Sequence, residues 1–75
     1  MIIYSNENKT AEQISAALAR KGISSTTSIR PGKNSFRVFV NDRLIEENEK
    51  QDLTKILNRY KKNILKITND DARAN

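Results

Sequence analysis

Ile2-Ile3-Tyr4 forms a short apolar, β-prone run, and the polar stretch Ser5-Asn6-Glu7-Asn8-Lys9 closes it, so a first strand is predicted over 2–5. The repeat of apolar positions then lengthens from two residues to about 3.6. Thr10-Ala11-Glu12-Gln13 fits a capping box, in which the Thr10 hydroxyl accepts from the Gln13 amide and the Gln13 side chain returns to the Thr10 amide. Ala11, Ile14, Ala17, Leu18 and Lys21 follow at spacings of three and four, giving a helix over 10–21 with a small-residue stripe that lets it lie close on a sheet. Gly22 supplies the left-handed conformation that ends such a helix, and Ile23 is placed to pack back on Leu18 in a Schellman close.

Ser24 to Arg30 is rich in β-branched and hydroxyl residues but poor in large apolar ones, the composition of an edge strand, predicted over 24–30. Arg30-Pro31-Gly32-Lys33 reads as a type II turn, with proline fixing φ at the first central position and glycine supplying positive φ at the second. Phe36-Arg37-Val38-Phe39-Val40 is the most strand-like run in the chain and predicts a central strand over 35–40. Asn41-Asp42-Arg43 breaks it. Leu44-Ile45 fits either an early helical turn or a short strand.

Asn48-Glu49-Lys50-Gln51 has a cap pattern, and Leu53, Ile56, Leu57, Tyr60 and Ile64 keep a helical period, so a second helix is predicted from about 49 to 62. Ile64 to Thr68 either extends that helix or forms a short final edge strand; the strand is favoured because Ile64, Leu65 and Ile67 do not share one helical stripe. Asn69 to Asn75 lacks large apolar residues and is expected to be a frayed tail.

The order β-α-β-β-α, with a possible short final strand, predicts an α+β domain of two layers. Both helices should cover one face of an antiparallel sheet in a ferredoxin-like plan with the first and third strands central. At 75 residues the chain has room for one core, placed in a single domain over 1–68 with the tail at 69–75. There is no cysteine, so no disulfide framework supplements the aliphatic core. No apolar run approaches a signal-peptide core or a membrane span, and a cytoplasmic protein without membrane attachment is expected.

Chemistry is limited by what the chain lacks. Without His or Cys there is no usual nucleophile–base pair, no near-neutral proton shuttle and no thiolate or imidazole metal site. Glu46, Glu47, Glu49 and Asp52 gather where the second helix starts and are read as complements to its dipole. Asp70-Asp71 lies in the polar tail and is read as solvated. The two glycines sit in different turns, so no phosphate-binding glycine loop is present. No enzyme, metal or cofactor is expected.

Fourteen Lys and Arg against nine Asp and Glu give a net charge of +5, which favours polyanionic partners. Two basic features are candidates. Arg30, Lys33 and Arg37 lie on the predicted hairpin. Lys55, Arg59, Lys62 and Lys66 fall at helical spacing and form a continuous stripe if the second helix reaches that far. Alternation along the central strands adds a sheet-face platform of Tyr4, Arg37 and Phe39, an aromatic and cationic group suited to stacking unpaired bases. An uncovered patch of Ile2, Tyr4 and Phe39 would be large for so small a chain, so Leu44-Ile45 or a second protomer is a candidate cover.

The leading expectation is a small, non-catalytic accessory or regulatory domain that binds nucleic acid, DNA or RNA, mainly through phosphate contacts. The alternatives are a module that docks on an acidic protein, of the kind encoded by phages and mobile elements, and a structural homodimer joined through its open sheet faces.

Overall fold

The computed structural model describes residues 1–29 and 36–68. Four strands and two helices follow in the order β1 (Ile2–Ser5), α1 (Asn8–Arg20), β2 (Ser25–Ile29), β3 (Phe36–Val40), α2 (Glu47–Arg59) and β4 (Ile64–Thr68). The strands form one sheet in the order β2-β3-β1-β4, and every neighbouring pair is antiparallel. The two apolar strands are thus central, and the Ser/Thr-rich β2 lies at an edge. The final segment is a strand, as its irregular apolar spacing favoured.

Register fixes which residues reach the core, because side chains alternate between sheet faces. Ile3 is opposite Val38 and Ile67, so all three turn to the same side. There Ile3, Val38 and Val40 join Ala11, Ile14, Ala17 and Leu18 of α1, Ile23, and Leu53 and Ile56 of α2 in one buried cluster. Phe36, Ile45, Leu57, Tyr60 and Ile64 are half-buried around it. The backbone also ties the central pair at its end: the Met1 amino group donates to the Val40 carbonyl at 2.8 Å, and the Val40 N–H donates to the Met1 carbonyl at 2.9 Å.

Both helix starts differ from the sequence expectation for a local reason. α1 begins at Asn8, with Glu7 as its N-cap, and Thr10 is buried inside the first turn. No Thr10–Gln13 capping box forms; the Thr10 hydroxyl instead donates to Glu7 Oε1 at 3.1 Å. The Ser5 hydroxyl prepares this start by accepting from the Glu7 N–H and donating to the Glu7 carbonyl. In α2 the cap is Glu46, not Asn48. Its side chain accepts from the Glu49 backbone, and the Glu46 N–H donates to Glu49 Oε1 at 3.0 Å, closing a capping box built from two carboxylates.

The end of α1 matches the sequence closely. Gly22 takes φ +78°, its N–H donates to the Ala19 carbonyl, and the Ile23 N–H donates to the Leu18 carbonyl at 2.9 Å. These are the two hydrogen bonds of a Schellman close, with Leu18 and Ile23 both buried in the same cluster. α2 stops earlier than expected, at Arg59, and a 3₁₀ turn over Lys61–Asn63 leads into β4. The Asn6 N–H donates to the Asn63 carbonyl at 3.1 Å, fixing this turn beside the end of β1.

A short 3₁₀ turn, Asp42–Leu44, follows β3, capped by the Asn41 side chain, which accepts from the Arg43 N–H. Ile45 then packs on the helix-side core, whereas Leu44 is 78% exposed. The expected Pro31-Gly32 turn and the polar tail over 69–75 lie outside the described residues.

Two stability predictions follow from burial and backbone geometry. Leu18→Ala should lower unfolding free energy by about 2–5 kcal/mol, and Leu57→Ala by less because Leu57 is only half-buried. Gly22→Ala should cost about 1–2 kcal/mol, because the new Cβ meets no close neighbour but must adopt the left-handed φ. Urea unfolding followed by circular dichroism measures all three. A Leu57 cost above that of Leu18 would show that the core is centred elsewhere.

Candidate nucleic-acid interface on the open sheet face

Alternation that sends Ile3 and Val38 inward sends Ile2, Tyr4, Arg37 and Phe39 to the opposite face. The edges complete it: Thr26 stands opposite Phe39 and Ser28 opposite Arg37, while Lys66 stands opposite Tyr4 and Thr68 opposite Ile2. Two rows therefore cross the four strands. One runs Ser28, Arg37, Tyr4, Lys66, and the other Thr26, Phe39, Ile2, Thr68. Both helices pack on the other side, where the buried cluster lies.

Each cation in the first row lies over an aromatic ring. The Arg37 guanidinium is 5.2 Å from the centre of the Phe39 ring, and Lys66 Nζ is 4.9 Å from the centre of the Tyr4 ring. Arg37 Nη2 also donates to the Ser28 hydroxyl at 3.1 Å. Its Nε is buried and has no hydrogen-bond partner among the described residues, which leaves the most central cation of the face incompletely satisfied. Among the described residues neither Arg37 nor Lys66 meets a carboxylate, and none of the eight residues of the two rows is acidic.

Alternation along β1 and β3 brought Tyr4, Arg37 and Phe39 together as expected. Lys66 is the addition. It was grouped with Lys55, Arg59 and Lys62 on the second helix, but no continuous stripe exists, because α2 ends at Arg59. Lys62 lies in the 3₁₀ turn and Lys66 on β4, where the bulge in the β1–β4 register sets it across from Tyr4. Lys55 and Arg59 remain as exposed residues of the helix layer. Arg30 and Lys33 lie outside the described residues.

The patch expected from Ile2, Tyr4 and Phe39 is smaller than the sequence implied. Ile2 is only 2% exposed between Phe39 and Thr68, and Tyr4 and Phe39 are half-buried. Leu44-Ile45 does not cover this face, since Ile45 belongs to the helix-side core. What reaches solvent is therefore more cationic and aromatic than aliphatic.

Of the carboxylates at the start of α2, Glu46 and Glu49 close the capping box, and Glu47 lies in the same first turn. No described helix is long and apolar enough to cross a membrane. No protein-family model, no curated protein and no solved structure matches this chain.

Proposed function

We propose that this chain is a small, non-catalytic nucleic-acid-binding domain of ferredoxin-like topology whose open sheet face takes a single strand of DNA or RNA. The strand order β2-β3-β1-β4, antiparallel throughout with both helices on one side, supports the topological part. The observation that carries the functional part is the pairing on one face of two cations and two rings, with no acidic residue among the eight described residues of its two rows.

A polyanion gains from such a face in two ways. Phosphates replace water around Arg37 and Lys66 and release condensed counterions. A guanidinium drawn from Phe39 to a phosphate can form paired charge-assisted hydrogen bonds, which its single bond to Ser28 does not provide. Bases then lie against Tyr4 and Phe39, as sequence-tolerant stacking requires. A single strand fits better than a duplex, whose base faces are already stacked and closed to these rings. Lys55, Arg59 and Lys62, on the helix layer and its terminal turn, would contribute longer-range attraction, and Arg30 and Lys33 add two further positive charges in the sequence between β2 and β3.

Fluorescence anisotropy with labelled oligothymidylate, oligouridylate and a matched duplex tests the proposal over about 50–200 mM salt. Arg37→Ala with Lys66→Ala should weaken single-strand binding and reduce the slope of log K against log salt by about 1.4, from about 0.7 for each phosphate. Phe39→Leu, which keeps an apolar side chain but removes the ring, should cost about 1–3 kcal/mol of binding. Lys55→Ala with Arg59→Ala should change the slope less than the sheet-face pair. Absence of binding at micromolar protein in low salt, or binding that Phe39→Leu and the sheet-face pair leave unchanged, would falsify the proposal.

A further inference from the structure

β4 is an edge strand: it pairs with β1 on one side, and no described strand lies on the other. Such an edge presents backbone N–H and C=O groups to any extended segment that approaches. Natural edges are commonly guarded by charges, bulges or a covering element. Here the irregularity lies towards the start of the strand: Tyr4 pairs with Lys66 and Ser5 with Ile64, which leaves Leu65 as the extra residue. Residues 66–68 keep regular pairing with β1. Lys66 is not projected along the edge as a guard, because its ammonium lies over the Tyr4 ring on the open face.

Beside this edge is a shallow groove of about 310 Å³ lined by Leu57, Asn58, Lys61, Ile64, Lys66 and Ile67. Its wall is aliphatic, and Ile67 is 44% exposed in it, while Leu65 nearby is 58% exposed. Lys61 borders the groove from the helix layer and Lys66 from the open-face side, so cations flank it above and below the sheet. Among the described residues neither is paired with a carboxylate.

We propose that the β4 edge and this groove bind an extended protein segment in which aliphatic and acidic residues alternate, added to the sheet as a fifth strand. Alternation supplies the match. Side chains directed to the helix side would fill the space between Leu57 and Ile67, and those directed to the open face would meet Lys66. Main-chain hydrogen bonds to β4 would provide the sequence-independent part of the affinity. A second copy of this chain is the less favoured occupant, because pairing two β4 edges would bring Lys61 and Lys66 of each copy towards those of the other. This docking site is independent of the nucleic-acid proposal, although Lys66 borders both surfaces.

The probe is the blocked peptide Glu-Val-Asp-Ile-Glu-Val-Asp, with Lys-Val-Lys-Ile-Lys-Val-Lys as its charge-reversed control, titrated into the intact protein and followed by amide NMR. Saturable shifts are expected at 64–68, Leu57 and Lys61, with slowed hydrogen exchange in β4, and the control should bind at least several-fold more weakly. Lys66→Glu, which reverses the charge that the acidic side chains would meet on the open face, should weaken binding by roughly two- to fivefold. Ile67→Thr, which keeps β propensity but removes apolar wall, should weaken it by roughly three- to tenfold. Spectra of each variant without peptide establish that the fold is retained.

The proposal is overturned if the acidic peptide leaves β4 unshifted, if the basic peptide binds equally, or if neither variant alters binding. It is also overturned if the β4 amides shift with protein concentration alone, which would assign the edge to a second copy. A nucleic-acid titration shifting only Tyr4, Arg37 and Phe39 leaves this test unaffected, so the two proposals can fail separately.

Discussion

The period-two alternation of β1, locked by pairing on both of its sides, decides the chemistry of the whole sheet. Ile3 is held opposite Val38 and Ile67, and this register delivers aliphatic side chains to the two helices. The same register leaves Ile2 and Tyr4 on the other face beside Phe39, Arg37 and Lys66. A slip of β1 by one residue would exchange its own two sets, turning Ile2 and Tyr4 toward the helices and Ile3 out of the core. The free energy that excludes such a slip also orders the cationic and aromatic face.

Core and open face are therefore two results of one constraint, but they are satisfied differently. The helix side is closed by aliphatic packing, with Ile3, Ile14, Leu18 and Val38 fully buried. The open side is closed only in part: Ile2 is buried between its neighbours, while the rings beside it keep one cation each. Cation–π contacts of this kind contribute on the order of 0.5–1 kcal/mol at exposed sites, small enough for a phosphate to compete for the cations. The face is ordered without being saturated.

Much of this was legible from residue order. Gly22 with Ile23 marked the end of α1 because only one residue type takes that φ easily, and β3 was marked by four β-prone residues in a run of five. Helix starts were less legible, since several polar residues near each start could cap. Thr10 and Asn48 resembled caps, but Glu7 and Glu46 took that position, set by the Ser5 turn and by the Glu46–Glu49 exchange. The platform of Tyr4, Arg37 and Phe39 followed from alternation within strands. Lys66 did not, because its place depends on where α2 stops and on a bulge in β4, and both are tertiary effects that a local period cannot report. The groove beside Ile67 was hidden for the same reason.

The central claim is that one sheet face, through its rings and cations together, contacts a single-stranded nucleic acid. The aromatic ring resonances of Tyr4 and Phe39 test it most directly, observed by NMR as oligothymidylate is added to the intact protein. Stacking predicts saturable upfield shifts at both rings, with accompanying changes at the Arg37 side chain and the Lys66 ammonium. Unchanged ring resonances while the amides of Lys55 and Arg59 respond would contradict the claim and move the contact to the helix layer.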